Sequence, residues 1–440
     1  MEEAIKKEFF PHHSQTVARL NHGSFGAIPV NVLNKQRSFQ QLWLDQPDEF
    51  YFFGLRTTQA ECRKHLANVI NCADTDVGFI ENVTSATAIV CQKIMWDMMS
   101  EKSTEPVYVI EFNNSYPAVK KVVRGYLERA GAVVVTVDLP FPIDSEAQII
   151  ESLENTLKHL APGRIKLAII DHLSSVPSYL LPVAELVQVC RNYKVEEIFI
   201  DGAHAFGNTP IDVSALDVDY YSSNLHKWMF TPTACAFIYA KPTRNAGPHN
   251  QSKSVVHHTV PSFGYGTGIS NECSWAGTKD YSAFCCAQIG MQFYALFGRL
   301  LKDHLENGAP LPSVASLEEK IHAEKPEVFN YEIANLNRDK ALAMGDLLAA
   351  AWGTRVAIPK SLITAITMVQ LPAWGAIARI TNDFEAEQLR HMIRNQYNVE
   401  IIIMFNSKDS RSYIRMSCQI YNSESDFLRL RAAVLDLKDK

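Results

Sequence analysis

Between residues 106 and 240 the chain alternates short apolar runs with longer amphipathic segments, and no other feature restricts its fold as much. The runs at 106–112, 133–138, 166–171, 196–201, 218–223 and 234–240 have strand length. Several hold consecutive Val, Ile and Phe rather than a regular in-and-out alternation, the pattern of strands covered on both faces. Segments 117–130, 145–160 and 183–193 read as the covering helices. This rhythm predicts an α/β fold with a mostly parallel sheet, whose ligands sit beyond the carboxyl ends of the strands.

The rhythm breaks at 241–275, where KPTRNAGPHNQSKS and SFGYGTG predict an exposed excursion. A long helix over about 280–304 follows. Helix 336–351, strand 364–371, helix 384–396, strands 399–405 and 411–418 and helix 424–437 then predict a smaller α+β domain. The expected division is an arm and helix over 1–45, a large domain over 46–304 and a small domain over 305–440. At 440 residues there is chain enough for both cores.

Forty-eight acidic residues against 42 basic ones give a net charge of −6, which argues against a nucleic-acid partner. No run nears the roughly 18 apolar residues of a membrane span. The opening MEEAIKKEFF lacks the apolar centre of a secretory signal, so a cytoplasmic enzyme is expected. None of the nine cysteines forms a Cys-x-x-Cys pair, which predicts buried thiols rather than disulfides or a zinc site. His12–His13 and His257–His258 are expected to be solvated, with no metal bound, because no carboxylate or third ligand is spaced around them. The glycines of Gly264-Tyr-Gly266-Thr-Gly268 follow a polar loop rather than a strand and fail as a dinucleotide fingerprint.

The chemistry concentrates in residues 196–228. Asp201 directly follows Ile198, Phe199 and Ile200, so its carboxylate is expected at the sheet's ligand edge, where desolvation demands a cationic partner. Lys227 follows the next strand, and a lysine desolvated at such an edge becomes nucleophilic. An acid for a protonated pyridine nitrogen and a lysine for an aldehyde on the same ring are what pyridoxal phosphate requires.

Asp201-Gly-Ala-His204 with Ser223-Asn-Leu-His226-Lys227-Trp228 resembles the class V aminotransferase family of fold-type I pyridoxal-phosphate enzymes. Leu20-Asn-His-Gly-Ser-Phe-Gly26, Glu81-Asn-Val-Thr-Ser-Ala86, Trp275-Ala-Gly-Thr278-Lys-Asp280, Tyr413-Ile-Arg415 and Tyr421-Asn422 are similar to its isopenicillin N epimerase-like branch. That branch includes plant L-cysteine desulfhydrases and fungal hercynylcysteine sulfoxide lyases. The resemblance implies the aspartate aminotransferase type of fold. It makes Lys227 the Schiff-base lysine, Asp201 the partner of the ring nitrogen and His204 a neighbour of the ring's phenolic oxygen. Val83, Thr84 and Ser85 are implied at the phosphate, on a helix N-terminus, with Ser223 and His226 completing the cup. Here Asn224 stands where many members carry a serine. Tyr116 is implied over the ring, Arg415 on the substrate carboxylate, and Thr278 on the phosphate of a neighbouring subunit, hence a homodimer. Side-chain recognition is expected from Asn21 and His22, the 251–275 loop and Phe405.

Three outcomes compete on such a site: β-elimination from cysteine or a cysteine thioether or sulfoxide, epimerisation, and sulfur transfer to a mobile cysteine. The family's sulfur-transfer members carry that cysteine roughly thirty positions before the arginine, whereas here no cysteine lies between Cys286 and Cys418. Sulfur transfer is therefore disfavoured; the resemblance implies a carbon–sulfur lyase as the expected activity, with an epimerase as the alternative and a desulfurase or a non-catalytic relative less favoured.

Overall fold

The computed structural model describes residues 1–101, 105–161, 163–242, 256–323 and 328–439. Among these described residues, seven strands form the central sheet. In chain order they are β2 (Val77–Ile80), β3 (Tyr108–Phe112), β4 (Val133–Val137), β5 (Ile165–Asp171), β6 (Glu197–Asp201), β7 (Tyr220–Ser223) and β8 (Ala236–Ala240), after a two-residue β1 (Ala18–Arg19) in the arm. Their spatial order is β2-β8-β7-β6-β5-β3-β4. Five strands run parallel, and β8 is antiparallel to both β7 and β2. Two reversals cancel, so β2 points the same way as β7, and its carboxyl end reaches the edge where Asp171 and Asp201 end β5 and β6.

The apolar runs lack alternation because both faces of this sheet are buried. Leu167 and Ile169 pack into one core cluster with Phe199 and the helix Val83–Glu101, while Ala168 and Ile170 pack into the other with Ile198 and Ile200. Burying one such aliphatic side chain contributes about 2 kcal/mol. Among the described residues no helix is long and apolar enough to cross a membrane.

In the C-terminal part β9 (Ile366–Gln370), β11 (Ile402–Asn406) and β12 (Arg411–Ser417) make an antiparallel sheet in the order β11-β12-β9, and Arg415 lies on its central strand. The arm is stitched to this part: β1 pairs in parallel with β10 (Val399–Glu400), and the Ser417 amide donates to the Leu20 carbonyl at 2.7 Å. The next arm residues thus come to lie beside Arg415.

The sequence reading needs three corrections. It missed β2, whose four residues carry a glycine inside the strand; a Cβ on Gly78 would lie 2.6 Å from Cys273 Sγ, so the glycine is there for close packing. The excursion at 241–275 is only partly exposed. Residues 243–255 lie outside the described residues, but the helix Ile269–Ser274 buries Ile269, Glu272 and Cys273 against β2. The histidine pairs are not simply solvated. His13 and His258 are buried, and Glu272 accepts hydrogen bonds from the His258 amide and, at 2.8 Å, from His257 Nδ1, so a carboxylate does sit beside that pair.

Candidate active site

A cavity of about 520 Å³ opens at the carboxyl edge of the parallel strands. The loops leaving β2, β3, β5, β6 and β7 at that edge contribute. Asn82 and Val83–Ser85 follow β2, Tyr116 follows β3, Asp171 and Ser175 come from β5 and its loop, Asp201 and His204 from β6, Asn224, His226 and Lys227 from β7, and Ser24 from the arm.

Lys227 is half-buried, and desolvation brings its amine down to about 7, although Asp201 opposes the shift. The amine can therefore be a free base near neutral pH. Its Nζ lies 2.9 Å from His204 Nε2. Trp228 Nε1 approaches His204 Nδ1 at 3.5 Å, and an indole can only donate, which makes Nδ1 an acceptor and puts the ring proton on Nε2. Burial, then the charge of Lys227, holds His204 well below the usual histidine range, so it stays neutral.

Asp201 accepts the Ala203 amide at 2.9 Å, and burial raises its pKa. Lys227 favours its charged form, but the two make no ion pair. Asp201 thus has capacity for a further cation. The helix Val83–Glu101 starts at the same edge. Its Val83 amide donates to Asn224 Oδ1 at 3.1 Å and its Ser85 amide to Asn82 Oδ1 at 3.0 Å, leaving the Thr84 amide without a protein acceptor among the described residues. A helix N-terminus with a free amide suits an anion. His226 spends Nδ1 on the Cys235 carbonyl at 2.8 Å, and burial lowers its pKa to about 4.

Arg415 is 2 % exposed, and burial lowers its pKa to about 10, leaving it charged at neutral pH. No carboxylate pairs with it among the described residues. Nη2 donates to Ser24 Oγ at 2.9 Å and to Asn21 Oδ1, while Nη1 makes only longer contacts to Ser175, at 3.2 Å to the carbonyl and 3.4 Å to Oγ. Ser24 and Ser175 line the cavity.

The structure thus brings together Val83, Thr84, Ser85, Tyr116, Asp201, His204, His226 and Lys227, with Arg415 one contact behind the wall. Other expected residues stand elsewhere. Ser223 is buried and donates to the Gly202 carbonyl at 2.5 Å, and Asn224 lines the cavity in its place. Asn21 touches Arg415 rather than the cavity. His22 lies behind Trp228, at 4.7 Å between ring centroids, with Nδ1 2.8 Å from Tyr421 Oη, and burial lowers its pKa to about 3. Phe405 and the described part of the 251–275 loop do not line the cavity, and Thr278 is exposed outside it.

Sequence reasoning missed Ser24, Ser175 and Asp171. For Asp171 the signal was the one used for Asp201, an acid directly after a buried strand. The two serines carried none, since only the return of the arm and of β12 to the cavity gives them meaning.

The family model described as aminotransferase class-V matches residues 27–295. An L-cysteine desulfhydrase of Arabidopsis thaliana is 37 % identical over 444 residues, covering 97 % of this chain and 89 % of that protein. A hercynylcysteine sulfoxide lyase of Schizosaccharomyces pombe is 22 % identical, covering 95 % of this chain and 93 % of its own. The solved structure of the cystine C–S lyase C-DES with its product cysteine persulfide superposes with a TM-score of 0.67 at 17 % identity, over 97 % of this chain and 99 % of that one. By the extent of the family match and of the plant relative, the chain belongs to the class V aminotransferase family.

Proposed function

We propose that this protein is a pyridoxal-phosphate-dependent carbon–sulfur lyase acting on L-cysteine or a cysteine thioether or sulfoxide. The observation that carries the reading is one cavity joining a lysine of lowered pKa, a helix N-terminus and an acid that has no ion-pair partner among the described residues, backed by a buried arginine that meets no acid among them. These residues fit the cofactor: Asp201 would hold its ring nitrogen, Thr84, Ser85, Asn224 and His226 its phosphate, Tyr116 a ring face, and Lys227 its aldehyde carbon. When bound, pyridoxal phosphate supplies an electron sink for bonds at an amino acid's α-carbon.

The chain's own residues do the rest. Arg415 holds the substrate carboxylate and so fixes which α-bond stands ready to break. Lys227 Nζ takes the α-proton as a free base, with neutral His204 2.9 Å away to hold its orientation. Loss of the sulfur substituent from the β-carbon and addition of water then give the sulfur product, pyruvate and ammonia. For cysteine the atoms balance with one water consumed. Sulfur transfer is disfavoured because no thiol lines the cavity among the described residues and burial pushes Cys418 up to about 12.

A homodimer is part of the same proposal. Thr278 is outside its own cavity, and the segment carrying it is fastened to the arm side by Gln40 on Asp280 at 2.9 Å and by Tyr51 on the Lys279 carbonyl at 3.2 Å. Exposed Leu42, Leu44, Phe52 and Phe53 lie along the elements that hold this segment, an apolar surface suited to a second copy. The free thiols suit a reducing compartment such as the cytoplasm.

The test is incubation with cysteine, its thioethers and their sulfoxides, reading pyruvate and sulfide. Pyruvate in step with sulfur release is expected. Inversion at the α-carbon without pyruvate would make the protein an epimerase instead. Lys227→Ala should lose both turnover and covalent cofactor attachment, and retention of both would refute the assignment.

A further inference from the structure

One buried carboxyl in the cavity has no place in the reading above. Asp171 ends β5, and the register pairs it with Asp201 on β6. In-register residues of adjacent parallel strands leave the sheet on the same face, about 4.8 Å apart. Two carboxyls therefore stand side by side at the cavity floor, each 3 % exposed. Each is fixed through one oxygen: Asp171 Oδ2 accepts from Ser115 Oγ at 2.8 Å, and Asp201 Oδ1 accepts from the Ala203 amide at 2.9 Å.

The surrounding groups do not supply two positive charges. Lys227 acts on both acids and makes no ion pair with either. Lys120, on the helix Pro117–Val123, feels Asp171 but donates to the Asn113 carbonyl at 2.6 Å. The other titratable groups facing the pair are His204 near Lys227, Tyr179 beside Asp171 and Tyr221 beside Asp201, and burial holds all three neutral. Like charges this close in a buried site do not both ionise.

We propose that Asp171 is a positioning residue for the cofactor ring, the protonated member of an Asp171–Asp201 pair that shares one proton and so sets a single negative charge, on Asp201, beneath the ring nitrogen. The proposal rests on the reading of this cavity as the pyridoxal-phosphate site. The balance of contacts assigns the proton. A backbone amide donates to Asp201 and Lys227 acts on it more strongly than on Asp171, whereas Asp171, although Ser115 and Lys120 favour its charge, meets burial first and the charge of Asp201 second, both of which raise its pKa. Ser115 then orients Asp171 so that its other oxygen is free to carry the proton.

Asp171→Ala and Asp171→Asn test this with two readouts. In the apoprotein a buried acid of raised pKa keeps its proton while the unfolded chain loses it, so stability falls as pH rises above about 4. Asn has no proton to lose. The gap in Tm between Asp171→Asn and wild type should therefore widen in favour of Asn as pH rises from 4 to 8. In the holoenzyme Asp171→Ala should lower kcat about tenfold with KM for the amino acid nearly unchanged, and Asp171→Asn, which keeps the shape of the neutral acid, should recover most of that loss. A flat Tm gap, or an Asn variant no better than Ala, would overturn the shared proton. A wild-type protein that shows the apo Tm gap but never acquires the cofactor's visible absorbance would leave the paired acids standing and overturn the cofactor role.

Discussion

At the scale of single residues the site works by withholding partners. Among the described residues no acid meets the buried Arg415, and its Nη2 hydrogens are already committed to Asn21 and Ser24. Nη1 has only the long contacts to Ser175, so this edge is left for a substrate carboxylate. A lysine would keep the charge but could not hold Asn21, Ser24 and a carboxylate together in one plane. Arg415→Lys should lower kcat/KM about a hundredfold or more, near 3 kcal/mol, while the cofactor's absorbance stays unchanged. Normal turnover of the variant would place the carboxylate clamp elsewhere. Lys227 gives the second expectation at this scale. Because its amine titrates at about 7, cofactor capture by the apoprotein should rise about tenfold per pH unit below 7 and level off above it. A rate independent of pH between 5 and 7 would show that the amine is not the attacking group.

At the scale of elements the arm proves as much a part of the site as the sheet. Gly26 has φ 71° and ψ −166°, a conformation reserved for glycine, and a Cβ there would lie 1.8 Å from the His226 carbonyl, next to Lys227. Gly26→Ala should cost about 2 kcal/mol or more of stability and reduce cofactor occupancy, because the arm and the lysine loop cannot both keep their places. Thermal unfolding and cofactor titration together check this; a destabilised variant with unaltered cofactor affinity would show that the arm docks independently of the loop. The strands of the sheet were legible because full burial left continuous apolar runs, and the acid closing β6 marked the ligand edge. β2 was not, since four residues with an interior glycine carry too little pattern to stand out from a loop. The helix Ile269–Ser274 was masked by the glycines around it, and only its packing on β2 makes it part of the core.

At the scale of the whole molecule the proposed second subunit bears on the cofactor site. If Thr278 completes the partner's phosphate site, Thr278→Ala should weaken cofactor binding about fivefold, near 1 kcal/mol, without changing the apoprotein's Tm. Cofactor should also dissociate on dilution, in step with the appearance of monomer in sedimentation, because the two equilibria would be linked. A monomer that keeps its cofactor fully would remove both expectations. The sequence by itself determined the α/β class, the ligand edge and the presence of Asp201 and Lys227 at that edge, because burial and backbone hydrogen bonding act over a few residues and leave their period in the chain. Tertiary structure alone decided that Asn224 rather than Ser223 lines the cavity, that Asn21 serves Arg415 while His22 stands behind Trp228, and that Asp171 stands beside Asp201. Those outcomes depend on strand register and on the return of an arm and a C-terminal strand from hundreds of residues away. Contacts made across such distances leave no local period in the sequence.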